Sequence, residues 1–203
     1  MKKHDDKIKL KMLHVITTLW RYENLEPIWE SLKDYENITW HLSKVKTREI
    51  DKKWYETKNV KVWDLDCDDK NTEFKKNAVL DSIENNNEFF CILDDDTVFH
   101  DNMYKVYEHF KSIDFKGMVI GHQVYNNKIR LKAFYPRYCY IDAGNVLCHT
   151  DLLKQLRWKI DPKTAGDFHF WDRCFKILGT ENTILVDSVI SVYNKLSKET
   201  WKK

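Results

Sequence analysis

Residues 89–93, Phe-Phe-Cys-Ile-Leu, are apolar without polar alternation and run straight into three adjacent carboxylates, Asp94, Asp95 and Asp96. A short apolar run without alternation fits a central strand covered on both faces. Three anions at the end of such a strand repel one another, and the cost rises as water is excluded. A divalent cation removes that cost. Mg2+ and Mn2+ are hard cations that take carboxylate oxygens and share their shell with substrate phosphates. The competing reading of the triplet is a solvated acidic turn that caps the next helix.

The rest of the chain alternates short apolar runs with longer amphipathic ones. Residues 13–19, 38–45, 60–63 and 89–93 read as strands. Residues 24–34, 71–83 and 101–110 read as helices, with Pro27 in a first turn where its missing N–H costs little. Residues 118–125 and 129–135 read as two strands joined by an Asn126-Asn127 hairpin turn. A helix over 167–178 stops at Gly179, and 183–186 and 189–193 read as late strands. This order predicts an α/β fold, a mostly parallel central sheet flanked by helices with a smaller mixed portion behind it. In such sheets ligands bind beyond the carboxyl ends of the strands, so the residues after Leu19, Trp63 and Leu93 are the first to inspect.

Bulk properties narrow the function. The chain has 203 residues, enough for a single domain with one sizeable core. Lys and Arg number 34 against 32 Asp and Glu, so net charge gives no argument for nucleic acid as a partner. The five cysteines form no C-x-x-C pair, which disfavours a zinc framework and fits a reducing, cytoplasmic setting. The first residues lack the apolar region of a signal peptide, and no apolar run nears 18 residues, so a soluble chain with no membrane span is expected. Residues 195–203 read as a basic, solvated tail.

Two enzyme classes place D-x-D at the end of an apolar strand. ILDDDTV is similar to the first motif of haloacid-dehalogenase-like phosphatases, and Gly166-Asp167 with Asp172 echoes their second acidic site. In that class the motif sits on the first strand, whereas about 90 residues precede it here. The segment before Gly166, KIDPKTA, is also no apolar strand.

The order of motifs instead resembles family 2-like glycosyltransferases of the GT-A (Rossmann-like) fold, over roughly residues 12–193. Four segments carry the resemblance: LHVITTLWRYENL, NTEFKKNAVLDSI, ILDDDTVFHDNM and AGDFHFWDRC. The resemblance implies that Thr17, Thr18 and Arg21 lie near the base and ribose, and that Lys76 and Asn77 lie near the donor phosphate or base edge. Lys76 stands where the family more often has Arg, which keeps the charge and loses the bidentate fork. It also implies that Asp94 serves the nucleotide, that Asp96 binds Mn2+ or Mg2+, and that Asp95 holds a metal-bound water or the sugar. Asp167 at the start of its helix would be the general base, a position that suits a carboxylate.

The nucleotide-binding half would span about residues 12–96 and the acceptor half about 97–193. Between the last two motifs, Asp142, Gly144 and Asn145 either hydrogen-bond sugar hydroxyls or simply form a turn. Tyr135, Tyr138 and Tyr140 either wall a sugar or enter the core. Trp171 reads as core, and the histidines show no ligand spacing. The implied reaction moves a sugar, with inversion, from a nucleoside-diphosphate donor to a glycan or glycoprotein hydroxyl, UDP being the commonest donor nucleotide of the family. A non-catalytic carbohydrate- or partner-binding module is the remaining alternative.

Overall fold

The computed structural model describes residues 11–83, 87–154, 156–159 and 166–193. Residues 195–203, expected to form a basic tail, lie outside these, as do residues 1–10. The described residues form one sheet with strands β1 (Leu13–Thr18), β2 (Ile38–Val45), β3 (Val60–Leu65), β4 (Phe89–Ile92), β5 (Thr97–Phe99), β6 (Met118–Tyr125), β7 (Lys128–Leu131), β8 (Val146–His149) and β9 (Thr183–Tyr193). Its order is β3-β2-β1-β4-β8-β6-β9-β5, with β7 added beside β6. The helices are α1 (Leu25–Glu30), α2 (Lys53–Glu56), α3 (Thr72–Ser82), α4 (Asp101–Ser112) and α5 (Gly166–Leu178).

β1 to β4, β6 and β9 point the same way, and β5, β7 and β8 run against them. The expected mostly parallel sheet with a mixed rear portion is therefore present. β4 is central and covered on both faces. Phe89 and Cys91 join the apolar cluster on one side, with Trp40, Ile28 and Tyr107. Phe90 and Ile92 join the other, with Val79, Trp171 and Trp158. The period of two along an extended chain divides the run between the two clusters.

Three of the differences from expectation have a local reason. The helix expected over 24–34 is a 3-10 turn at Tyr22–Asn24 followed by α1, which ends at Glu30. Ser31 ends it: its hydroxyl donates to the Ile28 carbonyl at 2.6 Å and accepts the Phe99 amide of β5 at 3.1 Å. The second hairpin strand ends at Leu131 rather than 135. The Ala133 amide donates to His122 Nδ1 at 2.7 Å instead of entering the ladder. The hairpin turn itself is as expected, with Asn126 and Asn127 both left-handed at φ 47° and 58°. The two late strands are one continuous strand, β9, whose pairing with β6 shifts register around His122. The three-residue β5, directly after the acidic triplet, had no visible signal.

β1, β2 and β3 also carry a buried polar chain. The Trp63 indole N–H donates to His41 Nδ1 at 3.2 Å. His41 Nε2 therefore carries its proton and donates to His14 Nδ1 at 2.9 Å, and His14 Nε2 donates to Glu88 at 2.6 Å. Burial, reinforced by His14 and Lys61, holds His41 well below the usual histidine range. Burial also lowers His149. The folded protein then binds fewer protons here than the unfolded chain. This contribution is complete above about pH 6.5 and is lost as pH falls below it. Raised carboxylates at the sheet edge act in the opposite sense, so the comparison needs a variant. Between pH 7.5 and 5, the native protein is expected to lose about 1–2 kcal/mol more stability than His41→Gln. Equal pH slopes in urea denaturation of the two proteins would remove the account.

Among the described residues, no helix is long and apolar enough to cross a membrane.

Candidate active site

The carboxyl ends of β1 and β4 open on a cleft of about 280 Å3. The end of β1 supplies Thr18, the loop after it Trp20 and Arg21, and α3 Thr72 and Lys76. The acidic triplet follows β4, and Arg130, Asp142, Asp167 and Tyr193 close the far side. Asp142 arrives there because β8 runs against β4. The residues just before β8 therefore fall beside the carboxyl end of β4.

The three adjacent carboxylates have separate tasks. Asp95 is 4% exposed and organises the loop after β1. It accepts the Trp20 and Arg21 amides at 2.5 and 2.6 Å and the Arg21 guanidinium at 2.7 Å. Its carbonyl accepts from Asn24 at 2.6 Å. Asp96 faces Arg21 at 3.3 Å and accepts from the Thr97 hydroxyl at 3.3 Å. Burial raises its pKa, with Arg21 opposing and Asp95 adding. Asp94 turns the other way, with its side chain 32% exposed and 3.8 Å from Lys76 Nζ. Burial, with Asp167, Asp142 and Asp96, outweighs Lys76 and raises its carboxyl well above the usual range.

Lys76 is 4% exposed and donates to Asp167 at 2.7 Å. Burial alone would lower its pKa, but Asp167 and Asp94 outweigh it and the ammonium is held above the ordinary lysine value. The Trp158 indole N–H donates to the same Asp167 oxygen at 3.0 Å. Asp142 accepts from Arg130 and from the Ala143 amide. Arg130 also lies 3.8 Å over the Tyr193 ring.

Carboxylate oxygens of Asp94, Asp142 and Asp167 all lie within 4.8 Å of one another. Asp96, expected to bind the metal, is not in this set. An all-carboxylate donor group with partial exposure fits a hard divalent cation, and Mg2+ or Mn2+ are the natural choices.

The remaining expected residues divide clearly. Thr18, Arg21, Lys76, Asp94, Asp95, Asp96, Asp142 and Asp167 meet in the cleft. Thr17 is fully buried, and its hydroxyl accepts from the Trp40 indole at 3.0 Å. Asn77 exchanges two hydrogen bonds with the Trp158 backbone, at 2.9 and 2.8 Å, and so holds Trp158 under Asp167. Asn145 caps the turn and donates to the Gly121 carbonyl. A Cβ on Gly144 would stand 2.7 Å from Gln123, so its backbone is packed and carries no cleft contact. Tyr138 lies outside the cleft, 62% exposed, edge-on to Phe168 at 5.9 Å. Trp20, Thr72, Arg130 and Tyr193 are the cleft residues that sequence reasoning did not assign, and it also missed buried Trp158, which supports Asp167 from below the cleft.

No family model matches the chain, and no curated protein matches it by sequence. Solved structures do match by shape. The S. aureus TarS 1-349 structure superposes with a TM-score of 0.72 at 17% identity, covering 90% of this chain and 60% of that one. The longer S. aureus TarS structure gives 0.73 at 16% identity, covering 94% and 38%. The TarS 1-349 complex with UDP-GlcNAc gives 0.73 at 15% identity, covering 93% and 59%.

This chain has the GT-A fold.

The chain spans about 60% of the TarS 1-349 structure and 38% of the longer one. Within the GT-A fold, the cleft occupies the place where open α/β sheets bind ligands. At this level of identity the likeness concerns the fold, and the roles of individual side chains rest on their own geometry.

Proposed function

We propose that the chain is a metal-dependent glycosyltransferase that takes a nucleoside-diphosphate sugar, UDP-linked, and transfers its sugar to a glycan or glycoprotein hydroxyl. The observation that carries this reading is the convergence of Asp94, Asp142 and Asp167 beside Lys76, at the carboxyl edge of a GT-A sheet. S. aureus TarS 1-349, which superposes on this chain, has been crystallised with UDP-GlcNAc and with UDP.

Asp94 and Asp142 would hold Mn2+ or Mg2+, with Asp167 at the rim of the site. When bound, the ion supplies Lewis-acid help to the diphosphate leaving group. Arg21, already fixed by Asp95, presents its guanidinium to the same cleft and would meet donor phosphate or ribose oxygens. Half-exposed Trp20 would cover the donor. Lys76 would leave Asp167 for the diphosphate once the donor is seated. Asp167, at the first turn of α5, would then take the proton from the attacking hydroxyl. One base opposite the leaving group gives a single displacement and inversion.

We read the chain as one domain, since the sheet is continuous across the donor and acceptor halves. The phosphatase reading loses its second acidic site. Asp172 is part of α5 and pairs with Lys176 one turn away, at 2.7 Å.

The test is a thermal-shift series. UDP with Mn2+ is expected to raise Tm by several degrees and UDP with EDTA by much less, as ligand binding to the folded state alone requires. Asp94→Asn should raise the Tm of the cation-free protein, because it removes a partly desolvated, repelled charge, and should remove the response to Mn2+. A native protein indifferent to every nucleoside diphosphate plus Mn2+ would end the transferase reading.

A further inference from the structure

Beyond the donor cleft, the hairpin and loop over residues 126–140 present a surface that the donor reading does not use. Between Phe115 and Ile141 the chain contains no Asp or Glu, but it contains Lys116, Lys128, Arg130, Lys132 and Arg137. Lys128, Lys132 and Arg137 are exposed, and no carboxylate pairs with them among the described residues. Aromatic rings are interleaved with these cations. Phe134, Tyr138 and Tyr140 are 46%, 62% and 44% exposed. Phe134 and Tyr140 lie 6.0 Å apart, and the Arg137 guanidinium lies 5.5 Å from the Tyr140 ring. Left-handed Cys139, at φ 66°, holds the backbone between Tyr138 and Tyr140 in a conformation that a side chain disfavours.

The surface is continuous with the cleft. Tyr138 meets Phe168 edge-on at 5.9 Å, and Phe168 directly follows Asp167. Tyr135 packs on Phe175 of the same helix at 5.2 Å. Arg130 reaches from the hairpin into the cleft, to Asp142. Exposed rings of this kind offer flat apolar faces with polar rims, and cations beside them favour a negatively charged ligand. A neutral glycan would need the rings but not the unpaired cations.

We propose that this basic, aromatic strip is the acceptor track, and that the acceptor is an anionic saccharide chain, its sugar faces on the rings and its phosphate or carboxylate groups on Lys132 and Arg137. The word acceptor rests on the transferase reading, whereas the binding of an anionic saccharide does not. A single-stranded nucleic acid combines rings and charge as well, but the cleft that the strip feeds ends in the repelled carboxylates Asp94, Asp142 and Asp167. A phosphodiester repeated at every residue fits that end poorly.

The experiment is fluorescence anisotropy with labelled hexasaccharides of equal length, namely a neutral glucan, a polyuronate and a phosphorylated glucan, together with a deoxythymidine hexamer, all at low salt. UDP–Mn2+ thermal shift is measured on the same samples. At least one anionic hexasaccharide is expected to bind tenfold or more tighter than the neutral one. Which of the two binds tells carboxylate from phosphate. Lys132→Ala/Arg137→Ala should erase that preference. Phe134→Ala/Tyr140→Ala should weaken every saccharide about tenfold while leaving the UDP–Mn2+ shift unchanged. Equal binding of neutral and anionic sugars overturns the proposal, as does no binding or a thymidine hexamer that binds as tightly as the anionic sugars. Loss of the UDP–Mn2+ response with the strip preference intact would remove the donor reading alone.

Discussion

Replacing Asp167 by Asn is expected to lower sugar transfer about a thousandfold at saturating donor and Mn2+, the usual scale for a positioned general base. Asn keeps an oxygen that can accept from Lys76 and from the Trp158 indole, which now donate at 2.7 and 3.0 Å. The local hydrogen bonds are thus preserved and the proton acceptor is removed. Folding and UDP binding should change little by comparison. Turnover close to the native rate, with normal donor affinity, would show that another group takes the proton.

The second large effect is expected at Lys76. Its ammonium is almost fully buried and is the cation placed between Asp94 and Asp167, at 3.8 and 2.7 Å. Lys76→Met keeps most of the side-chain volume and removes the charge. Among the described residues, Asp94, Asp142 and Asp167 then face one another with Arg130, on Asp142, as the remaining direct counter-charge. Breaking such a pair by deleting one partner costs about 3–5 kcal/mol when it is deeply buried. Asp94 and Asp167 remain partly solvated, so about 2–3 kcal/mol is the better expectation here. Mn2+ should restore more stability to Lys76→Met than it adds to the native protein. Urea denaturation with and without Mn2+ measures both quantities. If Lys76→Met is as stable as the native protein in EDTA, the carboxylates do not repel as described.

The parts of this picture that could be read in the sequence are those governed by short-range rules. The apolar run 89–93, the Asn126-Asn127 turn and the helix ending at Gly179 follow from periodicity and backbone preference, and each is present. The neighbourhood of the triplet, Lys76 and Asp167 was legible from the order of motifs. Which carboxylate turns toward which neighbour was not. Asp95 and Asp96 are adjacent to Asp94, yet they turn to Arg21 while Asp94 turns to Lys76, a division set by the loop after β1. Asp142 read equally well as a turn residue, and it is one: it accepts the Ala143 amide. Only the antiparallel course of β8 brings its second oxygen to the cleft. Arg130 and Tyr193 were hidden because they come from strands far apart in sequence, on either side of a register shift in β6. Asn145 and Gly144 looked like sugar contacts because turn chemistry and sugar recognition use the same residue types.

The place of β9 has a consequence for how the molecule comes into being. This strand is the last to leave the ribosome among those described, yet it sits inside the sheet between β6 and β5 and ends at Tyr193 in the cleft. The parallel block β3-β2-β1-β4 can form early from neighbouring segments. The cleft cannot, because among the described residues β5 has no sheet partner until residues 191–193 arrive to pair with it. β5 directly follows the acidic triplet. Nascent chains stalled before this point would hold the carboxylates on an unpaired edge, without the strand that completes their surroundings. Among the described residues, the surroundings of the triplet are thus complete only once β9 has paired with β5.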